Sequence, residues 1–105
     1  MDPSDASLQR KEGSSGWRSR VRHGRNMTVV EWEAPPGETI EEHRHPEEQL
    51  FYVQAGEIEV TIDGKTTLAK PGMYILIPPD ALHSARVISA LALLDVSAPV
   101  RPDHG

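Results

Sequence analysis

At Glu57 to Asp63 the sequence reads EIEVTID, in which aliphatic side chains alternate with polar ones. Alternation with a period of two is typical of a β-strand that buries one face. Gly64 follows directly, and an Asp-Gly pair favours the tight turn of a β-hairpin because both residues tolerate positive φ. We therefore expect Lys65 to Ala69 to pair with the strand before the turn.

The same alternation recurs on both sides of this hairpin, between short turns that contain glycine or proline. It predicts further strands at Trp17 to His23, Met27 to Ala34, Gln49 to Gln54, Met73 to Ile77, His83 to Val87 and Ala90 to Val96. The last two are expected to form a hairpin around Ser89. No segment has the period of a helix, and many short strands at regular spacing predict an all-β sandwich or barrel.

The length of the chain limits it to a single domain, because 105 residues leave no room for a second core. Residues 1–16 hold only Met1, Ala6 and Leu8 as apolar side chains, so we expect a flexible N-terminal tail before a folded domain over residues 17–105. A core of this size is marginal on its own. This favours a homodimer.

Composition excludes several classes of function. A net charge of -5 argues against a nucleic-acid partner, since affinity for phosphates comes from clustered Lys and Arg. The chain has no cysteine, so disulfides and thiolate metal sites are impossible and any metal needs nitrogen or oxygen ligands. The sequence contains neither a long apolar span nor a signal peptide. We expect a cytoplasmic protein without a membrane partner.

Candidate metal ligands lie near the middle of the chain. His43 and His45 are two residues apart, so an extended segment would project both rings from one face, and Gln49 keeps the same parity. His83 would have to arrive from another strand. Taken alone, this spacing belongs more often to solvated histidines beside an acidic run than to a metal site, so it predicts metal binding only in combination with other features.

Two motifs carry a family resemblance. Gly37, His43, His45, Gln49 and Gly56 resemble the first motif of the cupin superfamily, and Gly72, Pro78 and His83 resemble the second. Asp80 and Val87 depart from that second motif. The resemblance implies a single-domain cupin with a jelly-roll β-sandwich barrel. It also implies that His43, His45, Gln49 and His83 bind one divalent metal ion per chain, for which Zn, Ni, Mn and Fe are all suitable.

The fourth ligand distinguishes this sequence from most cupins, which have glutamate where Gln49 stands. Three imidazoles and one carboxamide leave the full charge of the ion uncompensated by any protein anion. Such a site is a strong Lewis acid for an anionic substrate, whereas O₂-activating sites usually keep a carboxylate. The sequence therefore favours nonredox chemistry over an oxygenase.

The C-terminal strand adds two candidate catalytic residues. Asp95 follows a buried apolar run, where a carboxylate is costly unless it is paired or functional; the simple alternative is an ion pair at a strand end. The segments His45 to Gln49 and Asp95 to Arg101 are similar to the pectin-degradation subfamily of small cupins, which converts 4,5-unsaturated uronates to open-chain keto acids. The similarity implies that Asp95 is the acid/base and Arg101 holds the substrate carboxylate. Ser97 stands where that subfamily has an aromatic residue.

Arginines alternate on the first predicted strand, at positions 18, 20 and 22. Such a stripe is typical of a solvated sheet edge, with an anion-binding wall as the alternative.

Three functions fit these observations. The preferred one is a metal-dependent, nonredox isomerase or lyase acting on a small anionic substrate, either an unsaturated uronate or a related keto or hydroxy acid. The second is an Fe(II)-dependent cupin dioxygenase. The third is a cupin that binds a small ligand without turnover.

Overall fold

The computed structural model describes residues 9–10 and 16–101. Its eight strands are β1 (Gln9–Arg10), β2 (Arg18–His23), β3 (Thr28–Ala34), β4 (Thr39–His43), β5 (Glu48–Ile62), β6 (Lys65–Ala69), β7 (Tyr74–Ile77) and β8 (His83–Ala98). These ranges contain no helix, and so none that could cross a membrane. The all-β prediction is confirmed. Of the predicted tail, residues 1–8 and 11–15 lie outside the described residues, as do residues 102–105.

The strands form a sheet in the order β1-β2-β3-β8-β5-β6, with β4 beside β8 and β7 beside β5. Every pairing is antiparallel. The two longest strands, β5 and β8, each contribute to two layers. We call the part formed by β2, β3, β7 and the adjacent halves of β5 and β8 the first layer. The second layer contains β4, β6 and the other halves of β5 and β8.

The predicted hairpin at Asp63 and Gly64 is confirmed. Both residues have positive φ, 48° and 82°, and Ile62 pairs with Lys65 across the turn. Such a turn matches the twist of the two flanking strands.

The hairpin predicted around Ser89 is wrong, because β8 continues from His83 to Ala98 without a turn. In the same way, the two strands predicted on either side of Gly56 are one strand, β5, whose register with β8 shifts between Val53 and Ile58. Gly56 has a φ of 77°, and a Cβ there would overlap the carbonyl group of Ala90. This bend carries β5 and β8 from one layer to the other.

The core lies between the two layers and is almost entirely aliphatic, with Trp17 and Trp32 in edge-to-face contact at 5.4 Å. Within the described ranges, seven buried residues are polar or charged: Thr28, His45, Gln49, His83, Asp95, Ser97 and Arg101. Registers and contacts place them at one end of the barrel. Ser97 pairs with both Thr28 and Gln49, Gln49 contacts His45 and Asp95, His45 packs against His83, and Arg101 contacts Thr28. Buried polar groups need partners or ligands, so this end is the candidate functional site.

Candidate metal centre

Three elements bring the histidines together. His43 is the last residue of β4, His83 is the first of β8, and the two are register partners with ring centroids 4.2 Å apart. His45 lies in the segment between β4 and β5, with its ring 4.9 Å from that of His83. One nitrogen from each ring lies within 4.8 Å of the others. The predicted convergence of the three histidines is therefore present, although His43 and His45 are not on one continuous strand.

Each histidine ring is fixed by a backbone carbonyl two residues away. Nδ1 lies 2.9 Å from the Glu41 oxygen in His43, 3.0 Å from the Glu47 oxygen in His45 and 2.9 Å from the Ala81 oxygen in His83. A carbonyl only accepts, so Nδ1 carries the hydrogen and a neutral ring leaves its lone pair on Nε2. The Nε2 atom of His83 is buried and has no hydrogen-bond partner among the described residues. This is the arrangement that metal-binding histidines require.

Gln49 supplies the fourth candidate ligand, and Asp95 fixes its orientation. The Gln49 amide donates from Nε2 to Oδ1 of Asp95 over 2.8 Å. Its other end, Oε1, therefore lies 3.1 Å from Nε2 of His45. Two lone-pair atoms this close repel each other unless a cation or a proton lies between them. The donor set fits a divalent ion held by His43, His45, His83 and Gln49.

The environment of His83 favours its neutral form. Burial lowers its pKa from the usual 6.5, while the hydrogen bond to the Ala81 carbonyl opposes this effect. The neighbouring His43, His45 and Arg101 lower the pKa further when charged. A neutral imidazole is the form that binds metal, so these contacts prepare His83 as a ligand.

A pH dependence follows from the lowered pKa of His83. As pH falls below 6.5, the unfolded chain takes up a proton at this position before the folded protein does. The metal-free protein should therefore have its full stability above pH 6.5 and lose stability as pH falls toward the lowered pKa of the folded state. Denaturant titrations of chelator-treated protein at several pH values measure this loss. It should be smaller in His83→Gln, which cannot titrate; an identical pH profile in that variant would contradict the prediction.

Asp95 is buried, with a relative exposure of 3%, and faces the interior from β8. Besides the Gln49 amide it accepts a hydrogen bond from Nε1 of Trp32 over 3.0 Å. Both carboxylate oxygens are thus engaged by N–H donors, one of which belongs to a candidate ligand. The alternation of β3 predicts only that Trp32 faces the core, and nothing in the strand pattern distinguishes an indole that also donates to a carboxylate.

Arg101 is buried beside the same cluster. Its backbone N–H donates to Oγ1 of Thr28 over 2.8 Å, and its Nε lies 3.6 Å from Oε1 of Glu47. That carboxylate oxygen is also 3.5 Å from Nδ1 of His45. Glu47 therefore links the guanidinium to a candidate ligand. No motif in the sequence indicates this link.

Ser97 adds a polar group to the cluster. Its Oγ is buried and has no hydrogen-bond partner among the described residues, and its backbone pairs with Gln49. A buried hydroxyl without a partner is costly. A polar group of a substrate, or a water molecule, would satisfy it.

Comparisons with known proteins agree with this geometry. The cupin domain family matches residues 30–97. The chain is 42% identical over 52 residues to polyketide synthase CurC of Streptomyces cyaneus, a match that covers 49% of this chain and 34% of that protein. The chain thus spans about a third of the length of this curated relative.

Two solved structures share the whole fold. KdgF from a Halomonas species superimposes with a TM-score of 0.87 at 23% identity, covering 98% of this chain and 94% of the other. An RmlC-like cupin from Shewanella frigidimarina has a TM-score of 0.89, also at 23% identity, covering 100% and 94%. Identity this low shows the fold alone. Because the family match extends over most of the described residues and includes all four candidate ligands, the chain belongs to the cupin family.

Proposed function

We propose that this protein is a metal-dependent, nonredox enzyme acting on a small carboxylate-bearing substrate, an unsaturated uronate or a related keto or hydroxy acid. The observation that carries this proposal is the set of three histidines with lone pairs on Nε2 beside an amide oxygen held in place by Asp95. When bound at these four ligands, a divalent ion supplies Lewis acidity. All four ligands are neutral, which favours an anionic substrate.

Asp95 is the proposed proton-transfer group. It is the buried carboxylate next to Gln49, and the N–H groups of Trp32 and Gln49 fix its position by donating to its two oxygens. A general base must lie within hydrogen-bond reach of the proton that it removes. Its position beside a ligand supports this role, because a substrate held at the ligand cluster would lie close to it.

Arg101 is the proposed binding group for the substrate carboxylate. Its guanidinium is close enough to His83 to affect the pKa of that ring, and Glu47 holds it from the side. A guanidinium presents a planar pair of donors that matches a carboxylate. Together with the unsatisfied Ser97 hydroxyl, Arg101 favours a compact polar acid.

The substitution Arg101→Ala should raise KM by about 10- to 100-fold and change kcat only a few-fold, because a charge-assisted hydrogen bond contributes about 1.5–3 kcal/mol to binding. Steady-state kinetics with the best substrate found measure this split. Arg86→Ala is the matched control, since Arg86 is paired with Glu59 on the outer surface of the second layer. A loss of kcat at unchanged KM would contradict the binding role.

The experiment that tests the proposed function is a substrate screen with 4,5-unsaturated uronates and small keto acids. Chelator-treated protein is compared with protein resupplied with Zn, Mn, Ni or Fe. Loss of the ultraviolet absorbance of the conjugated double bond, dependent on metal, would support the proposal. Oxygen consumption by the iron-loaded protein would instead identify a dioxygenase. Saturable binding without turnover would identify a ligand-binding cupin.

A second candidate substrate class comes from the curated relative. The identity to polyketide synthase CurC is 42% over about half of the chain, higher than the identity to KdgF. This favours including aromatic and β-keto acids of the polyketide type in the screen. The same residues would serve, because enolisation next to a carbonyl also needs a Lewis acid and a base.

A further inference from the structure

Ser97 is a buried residue of the candidate site whose hydroxyl group the described fold does not use. Its relative exposure is 1%, and its Oγ has no hydrogen-bond partner among the described residues. The side chain lies on the inner face of β8, because burial alternates along this strand and Asp95 is buried in the same way. A buried hydroxyl without a partner destabilises the folded state, whereas alanine would fill nearly the same space without this penalty. Packing therefore does not explain a serine at this position.

The side chains around Ser97 have hydrogen bonds of their own. On one side lies Thr28, whose Oγ1 accepts a hydrogen bond from the backbone N–H of Arg101 over 2.8 Å. On the other side lies Gln49, which donates to Asp95 over 2.8 Å. None of these side chains is within hydrogen-bond distance of Ser97 Oγ. The hydroxyl therefore remains available to a bound molecule.

Ser97 lies close to both groups to which the proposed function assigns chemistry. Directly opposite residues of an antiparallel pair have Cβ atoms about 5 Å apart, and Gln49 is the register partner of Ser97. Asp95 lies two residues earlier on the same face of β8, which is about 7 Å along a strand. An acid held at the candidate ligands, with Asp95 facing its reacting carbon, would therefore bring the neighbouring carbon within reach of Ser97.

The charges nearby indicate which kind of group Ser97 would bind. Arg101 is the proposed binding group for the carboxylate of the substrate, and the negative charge of Asp95 would repel a second carboxylate placed beside it. A serine hydroxyl is neutral and can both donate and accept a hydrogen bond. Ser97 therefore fits an uncharged oxygen, either a hydroxyl or a carbonyl, better than a further acid group.

We infer that Ser97 is a specificity-determining residue, which selects acids with a hydroxyl or carbonyl oxygen on the carbon next to the reacting centre over identical acids without that oxygen. The inference rests on the proposed function, because Arg101 and the metal ligands must first place the acid. Ser97 binds the substrate and transfers no proton. A site that hydrogen-bonds a substrate hydroxyl rejects the analogue without it, since the polar group of the protein then stays unpaired.

Matched pairs of acids test this inference on the Zn-loaded protein. Glycerate has one hydroxyl more than lactate, and hydroxypyruvate has one more than pyruvate. Calorimetric titration should give each hydroxylated acid an affinity about 3- to 10-fold higher than that of its partner, which is the usual contribution of a neutral hydrogen bond. In Ser97→Ala the two members of a pair should bind within about two-fold of each other. Ser97→Thr keeps the hydroxyl and should keep the preference.

A second arm of the test needs no ligand. Because the described fold does not use the hydroxyl, metal-free Ser97→Ala should have a thermal midpoint equal to or higher than that of the wild type. Ser89→Ala is the control, since it removes a half-buried hydroxyl from the same strand at the bend. A midpoint lowered by several degrees in Ser97→Ala but not in Ser89→Ala would show that the fold itself needs the hydroxyl, and would overturn the inference.

The possible outcomes separate this inference from the proposed function. Equal affinities within each pair for the wild type, or a preference that persists in Ser97→Ala, would overturn the inference and leave the proposed enzyme intact. A preference that depends on Ser97, without turnover of any acid in the substrate screen, would support the inference and contradict the enzyme. If no acid binds to the loaded protein, both fail.

Discussion

Replacing His83 by alanine should eliminate stoichiometric metal binding while leaving the barrel folded. His83 is buried, its Nδ1 is held by the Ala81 carbonyl, and its Nε2 has no partner among the described residues. Removing a residue that merely orients a ligand weakens metal sites by about 10- to 100-fold, so removing a ligand itself should cost at least about 10³-fold in affinity. His43→Ala should behave in the same way.

Elemental analysis of purified protein and calorimetric titration with Zn and Mn measure this loss. The wild-type chain should hold close to one ion. Arg86→Ala is the control, because Arg86 is exposed on the outer surface of the second layer, where it pairs with Glu59. If His83→Ala retained a full equivalent of metal, the site assignment would be wrong.

Asp95→Asn should lower kcat by at least about 10²-fold, the usual contribution of a positioned acid or base. The structure adds a second effect. An asparagine side chain would offer one acceptor and one N–H donor at a position where the native carboxylate accepts from both Gln49 and Trp32. One contact then becomes donor against donor, and the Gln49 amide turns over to relieve it. Metal affinity should fall by about 10- to 100-fold as well.

Measuring kcat at saturating metal separates the two roles. A loss of rate that persists when the site is fully loaded indicates proton transfer, as we expect. Full recovery would reduce Asp95 to a residue that positions Gln49. Trp32→Phe is the informative control, since it removes one donor to the carboxylate but keeps the acid, and should change kcat only a few-fold.

The sequence predicted the class of fold because strong local signals agree with the tertiary structure. The alternation from Glu57 to Asp63 and the Asp-Gly turn both act over a few residues. The hairpin expected around Ser89 failed because strand length is not a local property. Ser89 is a weak turn residue that no glycine or proline accompanies, and nothing in the pattern tells a bend between two layers from a reversal of the chain.

The metal ligands of the candidate site were predicted more completely than the strands and side chains that hold them in place. The histidines and Gln49 follow a motif, whereas β4 (Thr39–His43) was missed because TIEEH has no alternation of apolar residues. The contacts of Glu47 and Trp32 were missed for a related reason. Glu47 contacts Arg101 and Trp32 contacts Asp95, each on a segment more than fifty residues away. The sequence of either segment alone does not indicate such a contact.

The course of β8 has a consequence for how this site could change over evolutionary time. His83 begins the strand and Asp95 lies twelve positions further on, a distance of about 40 Å if the strand were straight. Yet both belong to one cluster, because β8 curves around the barrel and passes Gly56 at the bend. The spacing between ligand and carboxylate is therefore set by the curvature of the sheet. A larger side chain at Gly56, which is not itself a ligand, would alter that curvature. Differences in activity among descendants of this sequence could therefore arise from substitutions at a position that does not touch the substrate.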